Sequence, residues 1–334
     1  MRRHRPIFFA TVAALALTGL MMTGCGGGGD DKADGSETTG TSTASTAPDV
    51  LQAVAANYDL AVGPPGRFIL GLFNQARGPV GYGTTELRFS FLGTDQAKGA
   101  PQPGPTVAGS YLPLPGSAPP APPAAGRPAY LATDQRGVYA ADVAFDRPGF
   151  WQVKVTLDLD GPKTAQAAFA VLARHEVPAP GDAAIPSQNL TVSTPGAPPE
   201  AIDSRANATT PVPDADLHQA TVAQALAERR PVLLAISTPT FCLSMFCGPV
   251  TDMVDELAKD YANRARFIHI EVWKDFKSNV LNDAAKEWIA RGQNVNEPWV
   301  FLIGGDGKIK ARWDNVATRG EIEPLLQQLP VRAP

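Results

Sequence analysis

The sequence predicts a multidomain protein in which an all-β sandwich precedes an α/β domain. Three observations predict it. Short segments of alternating apolar and polar residues, separated by turns, fill the first half of the chain. Helical and strand patterns alternate through the last third, and stretches rich in proline and small residues flank the two parts. The length of 334 residues fits about two domains of ordinary size.

The first 24 residues have the pattern of a secretory signal peptide. A basic start precedes an apolar run from Ile7 to Met22, which is too short and too sharply ended for a membrane-spanning helix. The run ends in Met22-Thr-Gly-Cys25, which resembles a bacterial lipobox. That resemblance implies cleavage before Cys25, a lipid on its sulfur, and a location at the extracytoplasmic face of the cell membrane. Ordinary secretion with an unmodified Cys25 is the alternative.

Residues 25–56 are predicted to form a disordered tether, because the run after Cys25 is polar and nearly devoid of large apolar groups. The formal net charge is −4, and loss of three arginines with the signal peptide leaves −7. No strong basic cluster remains, so nucleic acid is excluded as a partner. If Cys25 carries lipid, only Cys242 and Cys247 remain, in a compartment where disulfides persist. We therefore predict a Cys242–Cys247 disulfide.

Residues 57–173 are predicted to form the sandwich. In the segment 86–92, Leu87, Phe89 and Phe91 alternate with more polar residues, as in a half-buried strand. The predicted strands cover residues 67–73, 86–92, 138–145, 150–157 and 165–172. A proline-rich insertion over residues 101–128 is expected to interrupt them. The segments 137–145 and 148–155 resemble a bacterial immunoglobulin-like module, which implies partner binding or domain spacing and no catalysis.

Residues 174–216 are rich in Pro, Ala, Ser and Asp and are predicted to form a linker. The α/β domain is predicted over residues 217–331. A continuous apolar strand at 231–237 is suited to burial on both faces. The other predicted elements are helices at 221–229, after Gly248-Pro249, at 280–291 and at 321–329, and strands at 266–272, 299–303 and 308–313. This order predicts a mixed sheet covered by helices.

The order of these elements, with cysteines at a strand-to-helix junction, resembles the thioredoxin fold. Cys247-Gly-Pro-Val250 resembles the family's Cys-Gly-Pro-Cys, with Val250 in the last place. Glu297-Pro298 precedes strand 299–303, where the family carries a cis-proline that faces the disulfide. The spacing departs from the family, since it is Cys-x4-Cys instead of Cys-x2-Cys, and Cys242 also fits the first-cysteine position.

A second departure concerns proton transfer. The family's buried acid falls near Ala235, so Glu271 and Glu297 are the substitutes that the sequence offers.

The leading hypothesis is thiol–disulfide exchange with exported proteins, without a cofactor. Cys247 is predicted to be the attacking thiol, because unpaired N–H groups and the dipole at a helix N-terminus favour a thiolate. Cys242 is then its resolving partner. The resemblance implies that backbone groups of Glu297 and Pro298 bind an extended substrate chain.

Two alternatives remain open. In the first, the protein is a non-enzymatic binding module and Cys242–Cys247 is a structural disulfide. In the second, it handles copper as Sco-type relatives of thioredoxin do, with Cys242, Met245 and Cys247 as soft ligands for Cu(I). That type also needs a distant histidine. His269 is expected to pack within its strand, and His218 and His175 are expected to be exposed near linkers.

Overall fold

β-Strands dominate the structure, as the alternating sequence patterns predict. The computed structural model describes residues 49–95, 100–117, 126–132, 135–242, 244–291 and 294–331. The predicted signal peptide, Cys25 and the tether up to residue 48 lie outside the described residues. The described residues belong to one compact unit, within which two sheets have separate hydrophobic cores. No helix in the described part of the chain is long and apolar enough to span a bilayer.

The first sheet is antiparallel and has nine strands. They are β1 (Leu51–Ala55), β2 (Gly66–Asn74), β3 (Gly78–Gly81), β4 (Thr84–Gly93), β5 (Gln102–Pro113), β6 (Ala129–Tyr130), β7 (Gly137–Val143), β8 (Gly149–Asp158) and β9 (Pro162–Val171). The order is β6-β3-β2-β7-β5-β4-β8-β9, and β1 pairs with β2. All five predicted strands of this region are present.

The sheet folds over on itself to enclose its core. Phe68 of β2 lies 5.1 Å from Phe169 of β9 between ring centroids, although these strands are far apart in the sheet order. The Val62 N–H donates to the carbonyl of Leu172 at 2.9 Å, which brings the segment after β1 against the end of β9. The facing layers of the predicted sandwich are therefore parts of one continuous sheet.

Two strands lie where the sequence predicted none. β1 falls within the predicted tether, and β5 falls within the predicted proline-rich insertion. β5 accommodates its prolines because the register between β4 and β5 shifts between Arg88 and Ser90. Proline has no N–H to donate to a neighbouring strand, and a bulge interrupts the regular hydrogen-bond ladder, so that proline is tolerated there. Composition alone thus misassigned both segments.

The second sheet is mixed and has four strands: β10 (Val232–Ser237), β11 (Arg266–Glu271), β16 (Trp299–Ile303) and β17 (Ile309–Asp314). Their order in the sheet is β11-β10-β16-β17. β10 and β11 are parallel, and the other two pairs are antiparallel. Two small hairpins accompany it: β12 (Trp273–Asp275) with β13 (Val280–Leu281), and β14 (Ala290–Arg291) with β15 (Asn294–Val295).

Helices cover both faces of this sheet. They are α1 (Pro199–Ile202), α2 (Val222–Ala227), α3 (Cys247–Tyr261), α4 (Asp283–Ile289) and α5 (Arg319–Gln327), with a 3₁₀ helix over Ala215–His218. Alternate residues of β10 face opposite cores: Leu234 packs with α2 and α4, and Leu233 packs with α3 and α5. The helix predicted over 280–291 is shorter in the structure, where it is α4. Residues at the two ends of the predicted range form the strands β13 and β14 instead.

The segment 174–216, predicted as a linker, is packed against the second sheet. Val177 joins the core that contains α2 and α4, and Ile202 of α1 is buried. Asp203 has no exposed surface. The prediction of a linker was wrong here, because composition does not reveal that individual apolar and polar side chains of a proline-rich segment find buried partners.

Buried polar contacts join the two sheets. The Arg312 guanidinium in β17 donates to Asp59 Oδ2 and to the Val177 carbonyl, each at 2.8 Å. Asn57 donates to Asp314 Oδ1 at 3.1 Å, and Arg67 in β2 contacts Glu321 in α5 at 2.6 Å. Residues 57–59 are thereby held against the end of β17.

We predict that Arg312→Met lowers the free energy of unfolding by about 3 kcal/mol, because it leaves the buried Asp59 carboxylate without its cation. Denaturant unfolding at neutral pH measures this. Lys310→Met is the matched control on the same strand, since the Lys310–Asp306 pair is exposed and should contribute no more than about 0.5 kcal/mol. Equal effects of the two substitutions would contradict the role of Arg312.

Candidate functional site

The two cysteines lie on the connection from β10 to α3. β10 ends at Ser237, and α3 begins at Cys247. A disulfide joins Cys242 to Cys247, as predicted, with 5.9 Å between their Cα atoms. Pro249 lies in the first turn of α3, where the helix requires no N–H donor from it. The disulfide therefore closes the loop directly onto the helix N-terminus.

The two sulfurs differ in accessibility. Cys247 has 0% of its surface exposed, whereas Cys242 is partly exposed. An external thiolate must contact the sulfur that it attacks. Burial therefore opposes the predicted assignment of Cys247 as the attacking thiol, because Cys247 has no exposed surface whereas Cys242 is a partly exposed residue.

Glu297 places a carboxyl group beside the disulfide. One carboxylate oxygen of Glu297 and both sulfurs lie within 4.8 Å of one another. Burial, together with the negative charge of Glu271, raises the pKa of Glu297 to about 7. Glu271 is itself buried and accepts from the Ser204 N–H at 2.8 Å, and burial raises its pKa as well. Near neutral pH the Glu297 carboxyl is thus able both to release and to accept a proton.

The backbone of Glu297 has internal partners. The Glu297–Pro298 peptide bond is cis, as the resemblance implies. The Glu297 carbonyl accepts from Tyr58 Oη at 2.9 Å and from Ser244 Oγ at 3.4 Å. Ser244 Oγ also lies 3.2 Å from Cys242 Sγ. This carbonyl is therefore occupied, which opposes the expectation that it binds a substrate chain.

Tyr58 is a site residue that the sequence reasoning missed. It belongs to the segment between β1 and β2, far along the chain from the cysteines, and lies against Trp299 at 6.1 Å between ring centroids. No local pattern around Tyr58 pointed to the site, because only the contact between the two sheets brings it there.

Apolar side chains lie on the loop that carries Cys242 and contact a neighbouring hairpin. Phe241 stacks on Phe276 with 4.0 Å between ring centroids, and Trp273 contacts Phe276 edge-on at 5.4 Å. Phe276 is 43% exposed and Met245 is 63% exposed. Apolar side chains thus lie on the loop that carries Cys242 and on the hairpin of β12 and β13 that Phe241 contacts.

The predicted copper ligands are only partly brought together. Among the described residues, the group of potential metal ligands at the cysteines contains Cys242, Cys247 and Glu297, and no histidine. His269 is buried in β11, as predicted. His218 is also fully buried, so the expectation that it is exposed was wrong. His175 is partly exposed and contacts Arg312 at 2.6 Å.

Beneath the loop lies a second polar cluster of Asp203, His218 and His269, which the sequence reasoning missed. A hydrogen-bonded chain connects it to α3. His269 Nε2 lies 2.9 Å from Ser237 Oγ, Ser237 Oγ lies 2.6 Å from Thr251 Oγ1, and Thr251 donates to the Cys247 carbonyl at 2.8 Å. Asp203 lies in the segment 174–216, whose composition predicts a linker and gives no signal for a buried polar site.

Comparisons of the chain with protein-family models and with curated proteins give no match.

We predict that Glu297→Gln stabilises the disulfide form at pH 8 by about 1–3 kcal/mol and leaves its stability at pH 4 unchanged. A carboxyl whose folded pKa lies above its unfolded value loses stability as pH rises from about 4.5 to about 7. Urea unfolding at the two pH values measures the difference. Glu256→Gln, at an exposed position of α3, is the control and should show no such dependence.

Proposed function

We propose that the protein is a thiol–disulfide exchange protein in which Cys242 is the sulfur attacked by a partner and Cys247 is the leaving sulfur. One observation carries the proposal. The disulfide joins a partly exposed cysteine to a fully buried one, and a carboxyl group with a pKa of about 7 lies within 4.8 Å of both sulfurs. A disulfide that only braces a loop requires neither the asymmetry nor the carboxyl.

We further propose that residues 217–331 have a thioredoxin-like fold. The order of elements supports this: β10 leads through the cysteine loop into α3, β11 is parallel to β10, and β16 and β17 are antiparallel. Pro298 directly precedes β16, beside the cysteine loop. The longer Cys-x4-Cys spacing places Cys242, rather than Cys247, in the position of the accessible cysteine.

The exchange proceeds in two displacements. A partner thiolate attacks Cys242 Sγ, a mixed disulfide forms, and the Cys242–Cys247 bond breaks with its electron pair on Cys247. The second thiolate of the partner then attacks its own sulfur in the mixed disulfide and displaces Cys242 as a thiolate. The partner dithiol has lost two electrons and two protons, and Cys242 and Cys247 have gained them. The reverse sequence reduces a partner disulfide.

Glu297 is proposed to supply and remove the proton of Cys247. A thiolate that forms on the buried Cys247 is costly, because no water solvates it. The protonated Glu297 carboxyl donates its proton to that sulfur, and in the reverse direction the carboxylate accepts it. General acid–base catalysis works best when the pKa lies near the working pH, as it does here. Glu297 thus takes the role of the buried acid that is missing at Ala235.

We also propose that the protein acts outside the cytoplasm, anchored through a lipid on Cys25, with exported proteins as partners. The lipobox-like end of the signal sequence supports this. The stacked rings of Phe241, which adjoins Cys242 in the chain, and Phe276, together with the exposed Met245 of the same loop, suit an unfolded or extended partner chain.

A structural role for the disulfide is the second candidate. The Glu297 carbonyl is occupied by Tyr58 and Ser244, so it does not offer the backbone pairing that the family uses for substrates. In that case the protein is a binding module, and Cys242–Cys247 only stabilises the loop.

We expect the Cys242–Cys247 couple of the full mature chain to have a reduction potential above about −300 mV, in the range of exchange catalysts. Equilibration with glutathione or dithiothreitol buffers measures it. A lower potential would assign the disulfide to the structural role.

We expect Cys247→Ser, which retains Cys242, to form a stable mixed disulfide with an oxidised thiol reagent at least about 10-fold faster than Cys242→Ser does. The reason is that the remaining sulfur is partly exposed in the first variant and buried in the second. Stopped-flow reaction of the folded variants with a chromogenic disulfide measures both rates. Equal rates would contradict the assignment of Cys242 as the accessible sulfur.

We expect Glu297→Gln to slow disulfide exchange about 10-fold or more and to abolish a step in the pH–rate profile near pH 7. Initial rates of reduction of the protein disulfide by a dithiol, followed from pH 5 to pH 9, test this. Glu256→Gln should retain the wild-type rate and profile. A Glu297→Gln profile identical to wild type would remove Glu297 from the mechanism.

A further inference from the structure

Three fully buried polar side chains converge beneath the cysteine loop. Asp203 follows α1, His218 ends the 3₁₀ helix, and His269 lies in the middle of β11. Each has 0% of its surface exposed. One carboxylate oxygen and one nitrogen from each ring lie within 4.8 Å of one another.

The separations between these atoms fit a metal ion better than hydrogen bonds. Asp203 Oδ2 lies 3.6 Å from His218 Nε2 and 3.5 Å from His269 Nδ1. Ordinary N–H···O hydrogen bonds are about 2.7–3.2 Å long. Two ligands of a tetrahedral Zn²⁺ with bonds of about 2.0–2.1 Å are about 3.4 Å apart. Among the described residues, neither ring nitrogen of His218 nor Nδ1 of His269 has a hydrogen-bond partner.

His269 is oriented by its contacts with Ser237. Its Nε2 lies 3.2 Å from the Ser237 carbonyl, which is only an acceptor, and 2.9 Å from Ser237 Oγ, which can also accept. With the hydrogen on Nε2, as these contacts favour, the lone pair of Nδ1 is directed toward a carboxylate oxygen at 3.5 Å. Two electron-rich atoms in a buried site need a cation between them. A metal-bound histidine commonly donates its other N–H to a carbonyl in this way.

The surrounding charge also favours a cation. Arg205 contacts three carboxylates, Asp203 at 2.8 Å, Asp214 at 2.7 Å and Asp252 at 2.9 Å. One guanidinium thus faces three carboxylates. A divalent ion would balance the remaining two.

We propose that Asp203, His218 and His269 form a binding site for a divalent transition metal of the Zn²⁺ type, separate from the disulfide. Two imidazole nitrogens and a carboxylate oxygen are ligands that Zn²⁺ prefers. Because all three residues are buried, the ion would enter during folding and fix the segment after α1 to β11. This inference does not depend on the redox chemistry of the cysteines.

The test uses the full mature chain, refolded with Zn²⁺, freed of excess metal and measured by elemental analysis. About one Zn²⁺ per chain is expected, and the double variant His218→Gln/His269→Gln should bind at least about 10-fold less. The double variant Cys242→Ser/Cys247→Ser should keep its metal, which separates this site from one at the cysteines. His175→Gln is the matched histidine control and should also keep it.

Two further readouts do not require the variants to fold. Co²⁺ in place of Zn²⁺ should give the visible absorption of a tetrahedral nitrogen- and oxygen-ligated ion. A strong chelator present during refolding should lower Tm by about 5 °C or more. Wild-type chain that folds with less than about 0.1 metal ion per molecule and an unchanged Tm would overturn the proposal. Metal that persists in the histidine double variant, or disappears in the cysteine double variant, would also overturn it.

Discussion

Strand β10 is buried along its whole length, and this constraint fixes where the polar and sulfur-bearing side chains of the second sheet meet. A strand without an exposed residue requires a neighbour on each edge and helices on both faces. Because β11 is parallel to β10, Glu271 pairs in register with Ser237 at the end of β10. Because β16 is antiparallel, its start at Trp299 lies beside Ile236. The cysteine loop, Glu271 and Glu297 therefore reach the same edge of the sheet.

Glu271 and Glu297 lie at the same partly buried edge of the sheet. Ionising both carboxyl groups there costs free energy, because the two negative charges repel each other and are poorly solvated. Glu271 is satisfied by backbone N–H groups of Ser204 and Trp273, whereas Glu297 has its carboxylate beside sulfur. The same packing that buries Cys247 thus raises the proton affinity of the group next to it. The burial of Cys247 and the raised pKa of Glu297 thus have the same structural cause. In the proposed mechanism both are needed, because a thiolate that forms on the buried Cys247 requires a proton donor nearby.

Segments far from the cysteines complete the site. Tyr58, from the segment between β1 and β2, donates to the Glu297 carbonyl, and Asn57 and Asp59 are held by contacts with β17. Ser204 and Asp203, from the segment 174–216, lie beneath the loop and contact Glu271 and the two histidines. The two sheets are therefore in contact around the site, and the segment 174–216 supplies some of the buried polar groups beside it.

The sequence by itself determined those strands and helices that the apolar and polar pattern of adjacent residues specifies. The apolar run of β10, the alternation in β4 and the helix that includes Gly248-Pro249 each depend on neighbouring residues. The predicted disulfide depended on the number and spacing of the cysteines and on the export signal at the start of the chain. The proline-rich strand β5 and the packed segment 174–216 were missed, since their partners lie far along the chain. Only the tertiary structure decided that Cys242 is accessible and Cys247 is not, that the Glu297 carbonyl is occupied, and that Asp203 meets two histidines. The exposure and the proton affinity of a side chain depend on which distant segments of the chain cover it. The local sequence around that side chain does not indicate which segments these are.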